Sequence, residues 1–130
     1  MDVLELCVTS GLCVLIWLIQ LLHYPSFTFV DKERFIEFEV FHTQRITIIV
    51  LPLMLVELFL AVWNFRPFVL GLVFLIWAST FFLQVPYHQK LQKERSELII
   101  NRLISTNWIR TFLWTLKLFI LLGNFLWPLG

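Results

Sequence analysis

Charge is scarce in this sequence. Of its 130 residues, only 15% are Asp, Glu, Lys or Arg, against about a quarter in an ordinary soluble domain. That shortfall points away from a water-soluble globule. A net charge of +1 leaves no basic excess for gripping a nucleic-acid backbone. Cysteine is also rare. Cys7 and Cys13 lie on one apolar segment, off a common helix face and in no metal-type spacing, so both read as packing residues. There is no internal repeat and no low-complexity segment. The first apolar run has neither a basic leader nor a small-residue cleavage site, so it is expected to be a retained helix rather than a signal peptide.

What the chain has in abundance is apolar bulk. Hydrophobic residues make up 59%, with 14 Phe and 6 Trp, and the mean hydropathy is +0.83. A membrane helix needs about 20 mostly apolar residues. Four runs qualify: residues 3–24, 35–63 (its first part, to Arg45, as an interfacial extension), 68–85 and 103–127. Pro25 follows the first run, the "NFRP" segment at 64–67 predicts a tight turn, and Pro86 is expected to close the third. The stretch "YHQKLQKERSE" predicts a polar loop or a short surface helix. Pro52 lies inside the second run, where a kink is tolerated. The expected fold is all-α: one four-helix integral membrane bundle over residues 1–130, running up, down, up, down.

Charge orients that bundle. The end reached by the first run collects Lys32, Arg34, Arg45, Lys90, Lys93, Arg95, Arg102 and Arg110. The other end has Arg66, with the acidic Asp2 and Glu5. The positive-inside rule therefore predicts a cytoplasmic basic end and two non-cytoplasmic termini.

Polar residues follow helical spacing within the runs. Cys13, Trp17, Gln20 and Tyr24 share a stripe, with His23 beside it. Trp77, Thr80, Gln84, Tyr87 and His88 form a second. Asn107, Arg110, Trp114 and Lys117 form a third, and Glu39, His42 and Arg45 lead into the second run. A helix in lipid turns such groups toward its neighbours, so the interior is expected to be polar, most of all near the basic end. Glu57 and Lys117 lie deep in their runs and are expected to pair, since an unpaired charge there costs ~3 kcal/mol or more.

The three histidines, His23, His42 and His88, all fall at the basic end. Imidazoles from three helices can hold one metal ion, and two can ligate a haem. Glu39 and His42 form a Glu-x-x-His pair, but di-iron bundles use two such pairs, so a di-iron set is not expected. The metal reading takes His23, His42 and His88 as ligands, with Glu39 as ligand or proton acceptor. Tyr24 and Tyr87 flank histidines as supporting or redox groups. Arg45, Arg102 and Arg110 are placed to receive a carboxylate, a phosphate or a haem propionate, and Asn107 would orient a polar group of substrate or cofactor. The same residues also admit a plainer reading: histidines as interface residues, arginines as cytoplasmic anchors, aromatics as packing.

The segments "QLLHYPSF", "FHTQR", "QVPYHQKL" and "TNWIRTFLW" resemble a group of small bacterial four-helix membrane proteins, which implies a bacterial inner membrane. In topology the chain is similar to the anthrone-oxygenase-like small membrane proteins. The first resemblance implies that His23, His42, His88, Asn107 and Arg110 lie in recurring motif segments.

Three functions are compatible with these features. The first is a membrane oxidoreductase or cofactor carrier, with a metal or haem near the cytoplasmic face and a quinone-like or aromatic lipid-soluble substrate. The second is an accessory subunit of a larger membrane complex. The third is a proton-coupled transporter, which would need a homo-oligomer because the chain has no inverted repeat.

Overall fold

The computed structural model describes residues 2–127, and these fold into four long helices with no strand among them. Helix α1 covers Asp2–Phe29, α2 Phe35–Asn64, α3 Pro67–Leu91 and α4 Glu97–Leu126. Each contains an 18-residue window with a mean hydropathy between 1.4 and 2.5, so all four are long and apolar enough to cross a membrane. At 1.5 Å rise per residue, the 30 residues of α4 span ~45 Å, more than the ~30 Å hydrocarbon layer.

The turns match their local chemistry. Phe65 carries the chain out of α2 with φ 35° and ψ 68°, in the left-handed region. Arg66 is extended, and Pro67 opens α3 where its missing N–H costs nothing. Ser96 caps α4 by accepting from the Ile99 N–H. Neighbouring helices alternate in direction: Glu5, near the start of α1, meets Asn64 and Arg66 at the end of α2, whereas Tyr24 meets His88, and His88 meets Glu39, at the opposite end.

Two expected breaks are absent. Pro25 and Pro86 do not stop their helices. In each case a π-turn precedes the proline, Ile19–His23 in α1 and Thr80–Gln84 in α3, and helix resumes with the proline in its first turn. A proline clashes with the carbonyl four residues back and donates no hydrogen bond. Widening the preceding turn accommodates both defects, so α3 continues to Leu91 and takes in the first part of the expected polar loop. Glu97 already begins α4, ahead of the expected start of the fourth run at Leu103.

The burial pattern is inverted relative to a soluble protein. Phe82, Ile48 and Phe119 point outward at 78%, 69% and 68% exposure, while Glu5, Glu39, Glu57, Asn107 and Lys117 are fully buried. One apolar cluster, including Leu12, Ile16, Met54, Ile76 and Trp114, fills the middle. A second, including Phe27, Phe35, Leu91 and Ile100, fills the basic end.

At the other end, the expected Glu57–Lys117 pair is present at 2.8 Å. It belongs to a larger network. Lys117 Nζ also reaches Glu5 Oε1 at 3.3 Å and donates to Thr9 at 2.9 Å, and the Trp114 indole N–H donates to Glu57. Asn64 and Arg66 hold Glu5 from the second oxygen. Glu5, placed by the sequence only among the acidic residues of this end, is thus a buried counter-ion.

Candidate functional site

The two π-turns face the same region. Each inserts one residue into the helical repeat and so re-aims the residues beyond it by roughly 100°. In α1 this turns Gln20 and Tyr24 inward and leaves His23 exposed. In α3 it buries Gln84 and brings His88 to the bundle interior.

Tyr24 and His88 are then in contact. The Tyr24 hydroxyl lies 3.0 Å from His88 Nε2, and His88 Nδ1 is hydrogen-bonded to Glu39 Oε1. Arg110 Nη2 donates to the Tyr24 oxygen at 3.3 Å. A guanidinium only donates, so the phenol oxygen accepts from it; with His88 a neutral imidazole whose Nδ1 proton faces the Glu39 carboxylate, the phenol proton points to His88 Nε2. Arg110, Tyr24, His88 and Glu39 therefore form a chain with one consistent direction of donation.

Amides brace the chain. Asn107 Oδ1 accepts from Arg110 Nε at 3.0 Å and from Nη2 at 2.6 Å. Gln20 accepts from Asn107 at 2.8 Å and donates to the Ile104 carbonyl at 3.0 Å. Gln84 donates to Thr106 at 3.0 Å and accepts from Arg110 at 3.4 Å. A single arrangement satisfies all these groups, which fixes the position of the guanidinium.

The chain ends at a cavity of about 430 Å³ between α2 and α3, floored by α1 and α4. Leu12, Ile16, Val50 and Met54 give it apolar walls. Tyr24, Thr80, Gln84, His88 and Arg110 give it one polar end. Its rim residues Leu51, Phe81 and Val85 are exposed on the side of the bundle. Trp77 also lines it, and its buried indole N–H has no partner. The volume lies within the usual range for small-molecule sites.

The structure brings together Tyr24, Glu39, His88, Asn107 and Arg110. The other expected site residues make no hydrogen bond to this chain, although the His42 ring lies beside it, 6.3 Å from that of Tyr24. His42 is buried, its ring 5.2 Å from that of His23 and 6.0 Å from that of His88, and its Nε2 has no partner. His23 is exposed. Arg45 is exposed and lies over the Phe41 ring, while Tyr87 packs at the basic-end core with Lys90 over its ring. Among the described residues, no three His, Cys, Asp or Glu side chains are placed to hold a metal ion. Both nitrogens of His88 are already engaged. Sequence reasoning saw Gln20, Thr80 and Gln84 only as stripe members. The signal that marks them out is a proline downstream of each polar position within an otherwise unbroken apolar helix.

No family model, curated protein or solved structure matches this chain, so its site is interpreted from geometry.

Proposed function

We propose that the protein spans a bilayer, takes a lipid-soluble molecule into the α2–α3 cavity and exchanges a proton with that molecule's oxygen-bearing head through Tyr24. The observation that carries this reading is the position of the Tyr24 hydroxyl. It stands at the polar end of an apolar cavity and is backed in line by His88 and Glu39. A phenol so placed takes a proton from a ligand hydroxyl while its own proton moves to His88 Nε2, and in reverse the imidazolium returns that proton as Tyr24 protonates the ligand's oxygen. Glu39 holds the imidazole tautomer and stabilises the imidazolium that forms, the role a buried carboxylate plays behind a catalytic histidine. Arg110, donating to the same phenol oxygen, stabilises negative charge left there.

The side opening fits a ligand that arrives from the bilayer, such as a quinone-like or aromatic ketone-bearing molecule. Lys32, Arg34, Lys90, Lys93, Arg95 and Arg102 put the acid–base chain toward the cytoplasmic face. The segments that resemble small bacterial membrane proteins supply Tyr24, His88, Asn107 and Arg110. This acid–base role uses both nitrogens of His88 and does not draw on a metal or haem held by His23, His42 and His88.

The test is a binding titration. Trp77 and Trp114 line the cavity, and a quinone quenches indole fluorescence on contact. Menadione added to the protein in lipid nanodiscs is expected to quench saturably at one molecule per chain. Val50→Trp, which fills the cavity, abolishes the saturable phase. Quenching that rises linearly with menadione and is equal in both proteins would refute the site.

A further inference from the structure

The bundle buries two cations on α4, Lys117 and Arg110, and treats them differently. Lys117 is fully buried with two carboxylates around it, at 2.8 and 3.3 Å. Arg110 is 5% exposed, and among the described residues no carboxylate lies within salt-bridge distance of it. All its acceptors are neutral: Asn107, Thr80, Tyr24 and Gln84. The contacts to Thr80, Tyr24 and Gln84 are long, at 3.3 to 3.4 Å, and Nη1 has Thr80 as its one protein acceptor. Guanidinium nitrogens carry five N–H donors, so one on Nη1 is left over. Burying a cation without a counter-ion is costly, and buried charges are as a rule paired. The carboxylate nearest along the hydrogen-bonded chain, Glu39, is separated from Arg110 by both Tyr24 and His88.

Arg110 lines the cavity. We infer that the cavity's ligand carries an anionic head, a carboxylate or phosphate, which supplies the missing counter-ion, and a single apolar chain or ring system that fills the rest. This rests on the proposed lipid-soluble ligand of the same cavity and narrows it to amphipathic anions. The donors for such a head are the free Nη1 hydrogen of Arg110 and the unpartnered Trp77 indole N–H. A volume of about 430 Å³ suits one chain, not the two of a whole phospholipid.

Bromine quenches indole fluorescence, so 12-bromododecanoate and the uncharged 12-bromododecanol can be compared directly in phosphatidylcholine nanodiscs, at equal mole fraction in the bilayer. The carboxylate is expected to half-saturate at a mole fraction at least tenfold lower than the alcohol. Arg110→Gln removes the preference, and Arg110→Lys keeps part of it. The comparison in the unmodified protein decides the matter even if Arg110→Gln fails to fold. Adding phosphatidylglycerol to the discs separates two sources: if it displaces the bromododecanoate, the anion site also accepts a lipid headgroup, and if it does not, the site takes free amphiphiles. Equal saturable binding of acid and alcohol would overturn the anion inference and leave the cavity reading intact. Saturable quenching by neither would overturn both.

Discussion

Replacing Lys117 by methionine removes the cation and keeps most of the side-chain volume. In the native bundle its ammonium group contacts Glu57 at 2.8 Å, Glu5 at 3.3 Å and Thr9 at 2.9 Å, with the lysine and both glutamates fully buried. Deleting one member of a buried ion pair strands its partner and costs about 3–5 kcal/mol. Here the stranded carboxylates keep other donors: Trp114 for Glu57, Asn64 and Arg66 for Glu5. The loss should therefore fall near the lower figure, about 3 kcal/mol, or roughly a hundredfold in the folding equilibrium. The assay is reversible unfolding in mixed detergent and SDS micelles, tracked by tryptophan fluorescence. A second substitution, Glu57→Gln, removes the stranded charge and keeps an acceptor for Trp114, so the double variant should recover at least about 1 kcal/mol of that loss. A Lys117→Met protein within about 0.5 kcal/mol of the parent, the spread of ordinary surface changes, would show that the network contributes nothing of this kind.

Other perturbations probe the basic end. Tyr24→Phe strips the hydroxyl shared by His88 and Arg110 and is expected to cost about 1–3 kcal/mol of stability, while menadione still enters the cavity; the two readings come from the same unfolding and quenching assays. Pro86→Ala lets the Thr80–Gln84 turn close to ordinary α-helix, which rotates His88 by roughly 100° away from Tyr24 and should weaken menadione binding without unfolding the protein. Arg45→Ala and Tyr87→Phe lie outside the hydrogen-bonded chain and should change stability by no more than about 0.5 kcal/mol, with menadione binding unaltered.

Much of this architecture is written in helical periodicity. Four apolar runs announce four helices, and the spacing that puts Asn107, Arg110, Trp114 and Lys117 on one stripe also puts them inside the bundle. Glu57 and Lys117 had to find each other because neither could face lipid. The side chains at the helix ends were harder to place. His23 and Tyr24 are neighbours in sequence, as are Tyr87 and His88; the π-turns bring Tyr24 and His88 into the hydrogen-bonded chain, leaving His23 exposed and Tyr87 against the basic-end core, and a periodicity of 3.6 does not foresee an inserted residue. Arg45 comes three residues after His42, but its angular distance from Glu39 is roughly a third of a turn, enough to carry it out of a narrow polar face. Glu5 was obscured by its place near the chain start, where an acidic residue ordinarily meets water. Its burial comes from Lys117, which lies near the other end of the sequence and draws it in.

The proposed chemistry stands or falls with the imidazole of His88 between Tyr24 and Glu39. Nitrogen-15 solid-state NMR of histidine-labelled protein in lipid reads both ring nitrogens directly. The expected spectrum has His88 protonated at Nδ1 and accepting at Nε2, with the Nε2 signal moved by Tyr24→Phe and the Nδ1 signal moved by Glu39→Gln. A His88 signal indifferent to both substitutions would contradict the acid–base chain.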